Sequence, residues 1–152
     1  ITIKQNNRKL NIAAAYCPPR HNIKKDQFEK ILLKLGSRFI IGGDFNSKHK
    51  EWGSRLTTSK GRELFKAINA CKCDYISSGK PTYWPTDVEK TPDLLDFYIT
   101  KGISNNYLKV GNIEDLSSDH VPVLMTISSM VIRREKKYTL TNKHTDWEKF
   151  RE

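Results

Sequence analysis

At 152 residues the chain amounts to about one domain, and 37% hydrophobic against 29% charged residues leaves enough apolar side chains for a packed core, which excludes a wholly disordered segment. Twenty-seven Lys and Arg against 17 Asp and Glu give a net charge of +10. The expected partner is therefore anionic, nucleic acid first, with a merely well-solvated basic surface as the plain alternative. No apolar run approaches the roughly 18 residues that cross a bilayer, so no membrane partner is expected. Three cysteines, an odd number, fit a reducing compartment better than a disulfide framework. The chain opens Ile1-Thr2-Ile3-Lys4 with no initiator Met and no basic-then-apolar leader. A signal peptide is absent, or was removed with whatever preceded Ile1.

The first elements read as a hairpin. Ile1, Ile3 and Gln5 enter a polar turn at Asn6-Asn7-Arg8, and Leu10, Ile12 and Ala13 to Ala15 lead on to Tyr16. Cys17-Pro18-Pro19-Arg20 ends that strand, because proline cannot donate to a ladder. A helix is predicted from Lys24 to Leu35, with Phe28, Ile31, Leu32 and Leu35 on one stripe and Gly36 at the left-handed C-terminal position. Arg38-Phe39-Ile40-Ile41 is a short buried strand running into a turn, Gly42-Gly43-Asp44-Phe45-Asn46. A basic loop follows from Ser47 to Arg55. Ser59 is predicted to cap a helix that carries Leu64, Phe65 and Ile68 on one face. Asp74-Tyr75-Ile76, Thr82-Tyr83-Trp84, Leu94 to Thr100, Tyr107 to Ile113 and Val121 to Ile127 read as strands, with Pro85 to Pro92 an exposed loop. Arg133 to His144 reads as a basic linker, and Thr145-Asp146-Trp147-Glu148 as a capping box opening a further helix. The pattern is a mixed α/β layered domain over 1–130, followed at 131–152 by a linker and the start of a helix.

Three acidic clusters fall at strand ends or in adjoining loops, where a rigid strand fixes a side chain and the loop leaves it open. They are Asp44 with Asn46, Asp96 with Asp93 nearby, and Asp119 with His120. Each has an ordinary reading: an Asp/Asn turn, a structural ion pair and a loop cap. Asp96 stands out, because a carboxylate within an apolar strand needs a partner or a shifted pKa. Together the three form a set suited to metal-assisted phosphoester hydrolysis. One carboxylate deprotonates a water, an amide steadies the phosphate, and a carboxylate-paired His stabilises charge in the transition state.

Gly43-Asp44-Phe45-Asn46, Leu95-Asp96-Phe97-Tyr98-Ile99 and Ser118-Asp119-His120-Val121-Pro122 resemble, in order, the last three signatures of the endonuclease/exonuclease/phosphatase superfamily. Gly42 to Arg55, with Gly61-Arg62-Glu63-Leu64, resembles more narrowly the endonuclease domain of jockey-like non-LTR retrotransposon polyproteins. The resemblance runs from about Lys9 to Ile127. It implies an α/β fold, a four-layer α/β sandwich represented here by its C-terminal part. It also implies a metal-dependent phosphodiesterase that uses Mg²⁺ (or Mn²⁺) to nick target DNA in the nucleus and leave a 3′-hydroxyl that primes reverse transcription. The parent would be an RNA-directed DNA polymerase reached through the linker and helix at 131–152, and element RNA would be bound by the rest of that polyprotein.

Carried over residue by residue, the resemblance puts Tyr16 near the scissile phosphate, Asp44 on the attacking water and Asn46 on the phosphate. Asp96 would orient His120, Asp119 would lie on the metal side, and Trp84 would wall the site. Tyr16 and Trp84 also read as plain core aromatics. Lys48, His49, Arg55, Lys60 and Arg62 are expected to track the DNA backbone with Lys50, and Trp52 to stack or pack, unless the segment is a solvated basic loop over a buried Trp52. The superfamily also supplies an early Asn and a metal-holding Glu from strands before the Tyr16 strand. Here no Asp or Glu precedes Asp26. The chain alone is therefore expected to bind Mg²⁺ weakly and to show little nuclease activity, and its opening strands are expected to be missing, with an apolar face exposed and marginal stability. Two alternatives remain open: a non-catalytic basic nucleic-acid-binding remnant, and a same-fold abasic-site nuclease or small-phosphoester phosphatase. Cys17, Cys71 and Cys73 lack the partners of a zinc centre.

Overall fold

The computed structural model describes residues 1–5, 8–114 and 117–133. Asn6 and Asn7 of the expected turn, the expected linker from residue 134 onward and the expected capping box at Thr145 lie outside the described residues. A hairpin of β1 (Thr2–Gln5) and β2 (Arg8–Tyr16) leads through α1 (Lys25–Lys34) to β3 (Phe39–Asp44), which runs parallel to β2. Then come α2 (Ser59–Ala70), β4 (Asp74–Ile76), β5 (Asp96–Lys101), β6 (Leu108–Asn112) and β7 (Val123–Ile127). The first five strands form one sheet in the order β1-β2-β3-β5-β4, and β6 pairs with β7 in a second sheet.

Period-two alternation decides which face of the large sheet meets the helices. Phe39 and Ile41 of β3 and Phe97 and Ile99 of β5 pack with Phe28 and Leu32 of α1 and Leu64, Ala67 and Ile68 of α2. Ile40, Gly42 and Tyr98 face the other way, toward the small sheet. Tyr98 lies across Gly42, where any side chain would collide with its ring, and its hydroxyl donates to the Val123 carbonyl at 2.6 Å. That contact fastens β7 over the centre of the large sheet. On the same face by register, Leu10 and Ile12 are only half-buried and Ile3 is exposed, so the β1–β2 flank has a partly uncovered apolar surface. The described residues thus give three layers of the sandwich: helices, large sheet, small sheet. Among the described residues, no helix is long and apolar enough to cross a membrane.

Several predicted boundaries move. β3 continues through Gly42 and Gly43 to Asp44, because both glycines still pair with β2 and β5, so the turn begins only at Phe45. Thr82-Tyr83-Trp84 is not a strand; Tyr83 makes only isolated bridges to Asp93 and His120. Asp96 opens its strand rather than lying inside it. The α1 stripe is narrower than predicted, since Ile31 is 46% exposed while Phe28 and Leu32 are buried. Gly36 takes the left-handed conformation expected of it, with φ +86°.

The N-cap of α2 is Thr58, not Ser59: the Thr58 hydroxyl accepts from the Gly61 amide at 3.1 Å. Thr58 also donates its own amide to the Lys48 carbonyl at 3.0 Å, so the helix starts flush against the loop after β3. A Cβ on Gly61 would collide with that same carbonyl. Replacing Gly by Ala within a helix normally stabilises it by about 1 kcal/mol. Gly61→Ala is expected to do the reverse and destabilise the fold by about 1–3 kcal/mol, read as a lower urea midpoint. A gain in stability would mean that the helix does not abut this loop.

Candidate active site

Ladder register sets the site. Tyr16 pairs with Asp44 across β2 and β3, and Asp44 pairs with Asp96 across β3 and β5. Partners in register point to the same face, so three residues 28 and 52 positions apart in sequence stand side by side at one rim of the sheet. Beyond Asp44 the chain turns sharply. Asn46 takes the left-handed conformation (φ 44°) that asparagine tolerates, and this bends its side chain back. The Asn46 backbone and side-chain amides then donate to the two Asp44 carboxylate oxygens at 2.8 and 2.6 Å.

His120 arrives from the loop before β7. Its Nδ1 meets Asp96 Oδ2 at 2.8 Å, with both side chains partly buried. A carboxylate on Nδ1 fixes the ring and leaves Nε2 as the nitrogen open to the cleft. The same Asp96 oxygen accepts from the Thr82 hydroxyl at 2.8 Å, and Thr82 Oγ1 itself accepts from the Leu95 and Asp96 amides at 3.0 and 2.9 Å. Thr82 is fully buried and holds the carboxylate and its backbone together. No motif announced it, and a Thr fourteen residues before an Asp carries no spacing signal. Tyr83 supports the imidazole from the side, ring centroids 5.0 Å apart.

These groups surround a cleft of about 480 Å³ lined by Tyr16, Asp44, Asn46, Lys48, Asp119 and His120, with Pro19, Tyr83 and Leu95. A second cavity, about 360 Å³, adjoins it along Asp96, His120 and the start of β7. Burial pushes the Asp44 carboxyl above its ordinary value, aided by neighbouring Asp96 and opposed by the Asn46 amides and by His120. A carboxylate raised in this way is a better proton acceptor than a solvated one.

The structure brings Tyr16, Asp44, Asn46, Asp96, Asp119 and His120 together around this cleft, and adds Lys48. It separates others from the surface where they were expected. Trp84 does not line the cleft; it is half-exposed and donates its amide to the Asp119 carbonyl, while Tyr83 takes the wall. Lys60 is no surface contact. It is 7% exposed, and its ammonium donates to the Pro18 and Pro19 carbonyls at 2.6 and 3.2 Å, bracing the corner beside Tyr16. Burial lowers its pKa, with Cys17 and Asp44 acting in the opposite sense. A Lys in the first turn of a helix opposes the helix dipole, and that mismatch was the one signal of an internal role. His49 is half-buried and packs against aromatic rings. It stacks on Phe65 (4.5 Å), meets Trp52 at a tilt (5.0 Å), accepts from the Glu51 amide, and is lowered in pKa by burial. Trp52 is 1% exposed, stacks on Phe97 and donates to the Ser47 carbonyl, so it packs rather than awaiting a base. Arg55 and Arg62 are exposed, as backbone-tracking residues need to be.

A metal has few ligands here. Among the described residues no group of three His, Cys, Asp or Glu side chains is placed to hold an ion. Asp44 and Asp119 are the carboxylates that line the cleft, and Asp44 is already bonded through both oxygens to Asn46. Mg²⁺ requires near-octahedral oxygen geometry, and this donor set does not fit a tightly held ion.

Paired sheets with polar chemistry at one rim are the architecture of the endonuclease/exonuclease/phosphatase fold. The solved endonuclease domain of TRAS1, a telomere-specific non-LTR retrotransposon, superposes with a TM-score of 0.70 over 83% of this chain and 61% of that one, at 22% identity. The family model described as endonuclease-reverse transcriptase matches residues 10–124, and the chain belongs to that family. Among curated proteins, the RNA-directed DNA polymerase from mobile element jockey of Drosophila funebris is 32% identical over 140 residues, which is 92% of this chain and 15% of that protein. The probable RNA-directed DNA polymerase from transposon BS of Drosophila melanogaster is 32% identical over 137 residues, 90% of this chain and 15% of that protein. The chain thus spans about a seventh of the length of these relatives.

Behind the cleft wall Asp93 is nearly fully buried. Burial alone would raise its carboxyl, but the Arg55 amide, the Lys48 ammonium and the Leu94 amide outweigh that and hold it below the ordinary value. The unfolded chain therefore takes up this proton first on acidification. The stabilisation is complete above the unfolded pKa, about 4, and is lost as pH falls through the folded value. Asp93→Asn is expected to cost about 1–3 kcal/mol at neutral pH, with the gap to the unsubstituted protein closing in acid, read by urea denaturation across pH. A deficit independent of pH would rule out an ionised Asp93.

Proposed function

We propose that this chain is the catalytic-rim part of a retrotransposon endonuclease domain that hydrolyses phosphodiester bonds in target DNA, with the Asp44–Asn46 turn and the Asp96–His120 pair as its working groups. The observation that carries the reading is their convergence on one cleft from two strand ends and a distant loop. Asp44 accepts the proton of the attacking water, for which its raised pKa suits it. Asn46, steadied by Asp44, keeps its side chain beside the phosphate. His120, held in one orientation by Asp96 and Thr82, presents Nε2 to the phosphoryl oxygens. Tyr16, 69% exposed at the rim, flanks the strand of DNA. The P–O3′ bond breaks, and the departing oxygen takes a proton from solvent to become the 3′-hydroxyl from which reverse transcription starts. Arg55 and Arg62 supply exposed positive charge along the approach, and Lys48 supplies a cation inside the cleft.

Magnesium or manganese is the cofactor in this reading. Asp119 would be its ligand, and this chain would hold it only weakly, because the carboxylates at hand are too few. The 152-residue chain alone is accordingly a poor nuclease. The partners are target DNA and, through the rest of the polyprotein, the element's RNA. The place of action is the nucleus, where target DNA is.

The test is nicking of supercoiled plasmid by the parent polyprotein's endonuclease domain, compared with this chain alone. In the domain, Asp44→Asn and His120→Ala are each expected to slow nicking about 10²–10⁴-fold while leaving DNA affinity little changed. The isolated chain is expected to bind plasmid with a steep salt dependence and to nick it far more slowly. Undiminished nicking by both variants would overturn the assignment. Binding that all variants share, without cleavage by any form, would favour a non-catalytic DNA-binding role.

A further inference from the structure

We infer that Lys48 is a built-in phosphate ligand of the cleft, one that puts a fixed positive charge on the scissile phosphate rather than tracking the DNA backbone outside. The inference rests on the proposed hydrolytic site and deepens it.

Three observations carry it. The first is position: Lys48 lines the same cleft as Asp44, Asn46, Asp119 and His120, and it is the one Lys or Arg among the described residues lining it. The second is that both ends of the residue are anchored. Its carbonyl accepts from the Thr58 amide at 3.0 Å and lies against Gly61, where no side chain fits. Its ammonium sits 2.9 Å from the Asp93 carboxylate, whose side chain is 1% exposed, while the Lys48 side chain keeps 28% of its surface open. The Asp93 carboxylate is pinned in turn by the Arg55 and Leu94 amides, both on Oδ1. The third is charge balance. A phosphate entering this cleft meets the carboxylates of Asp44 and Asp119, with Asp96 just behind His120. Those charges repel it, and a cation held at a fixed point offsets the repulsion at low reorganisation cost.

An ammonium has three N–H donors. The ion pair with Asp93 holds the ammonium in place, and N–H donors remain for an anion in the cleft. A surface lysine that merely follows a nucleic acid would not need its backbone, its head and its counterion all fixed in the protein. Asp93 therefore acts as the positioning residue for Lys48, as Asp96 does for His120. Two carboxylates set behind the wall each aim a basic group at the same space.

The probe is inorganic phosphate, titrated into the 152-residue chain at low salt and followed through the backbone amide signals of Asn46 and His120. Phosphate is expected to shift both signals. Its affinity is expected to fall about tenfold in Lys48→Met and to be largely restored in Lys48→Arg. A second measurement needs no variant: acetylation of the unsubstituted chain, read by peptide mass spectrometry, should slow at Lys48 when phosphate is present and stay unchanged at Lys34. Phosphate binding that is equal in Lys48→Met, or Lys48 acetylation that phosphate does not slow, overturns the role of Lys48 and leaves the hydrolytic site standing. Phosphate that shifts neither Asn46 nor His120 in the unsubstituted chain overturns both.

Discussion

The pairing of β3 with its two neighbours is the constraint on which the rest depends. β3 runs parallel to β2 and antiparallel to β5, and its last residue, Asp44, is in register with Tyr16 on one side and Asp96 on the other. A slip of one residue in either ladder would turn the corresponding partner to the helix face, away from the cleft. The register is secured by burial on both faces. Phe39 and Ile41 lock one side of β3 into the helix-facing core, Ile40 is buried on the other, and Gly42 admits the Tyr98 ring that ties down the small sheet. Packing far from the chemistry thus decides which side chains meet at the rim.

The segment after β3 has a second structural duty. Much of what looked like a DNA-tracking basic loop is instead the wedge between α2 and β5. Trp52 stacks on Phe97 of β5, and Ser54 donates to the Leu94 carbonyl just before it. His49 and Phe65 complete the aromatic cluster under α2. The loop therefore grips the strand that carries Asp96 while its other end carries Asn46 and Lys48. The first turn of α2 braces both sides of the cleft, Lys60 through the Pro18 and Pro19 carbonyls and Thr58 through that of Lys48. A lysine in sequence reads as surface, yet Lys60 spends its ammonium on carbonyls within the protein.

Residues whose placement follows from strand ends were legible in the sequence. Asp44, Asn46, Asp96 and His120 each sit beside an apolar run, and the run marks where a rigid element stops and an open loop begins. The helices were legible from their 3.6-residue period, and β4 from its Asp-Tyr-Ile triplet. What was not legible depends on contacts between distant segments. Thr82 acts through a side chain aimed at a strand fourteen residues on, and no local pattern encodes that. Tyr83 rather than Trp84 faces the imidazole because Trp84 is drawn to the Asp119 carbonyl, a pairing without regular strand structure. β3 ran on past its predicted end because glycines, poor strand formers in isolation, were kept in the ladder by partners on both sides.

The charge arrangement links fold to chemistry. The chain carries a net +10, which favours approach of a polyanion over long distances, while the cleft itself is lined by the carboxylates of Asp44 and Asp119, with Asp96 behind His120. On the proposed function a phosphate would be drawn to the molecule by the first and resisted by the second, so the balance inside the cleft would have to be restored locally. The Lys48 ammonium can do so without leaving its place, and both it and the His120 ring are backed by a carboxylate, Asp93 and Asp96 respectively. In the proposed reaction a fixed ammonium and an oriented imidazole stand beside the acidic rim, and Asp44 is left the role of proton acceptor. That division of labour accounts for why so small a cleft carries so many ionisable groups and why the neighbouring loop and helix are built to fix their backbones.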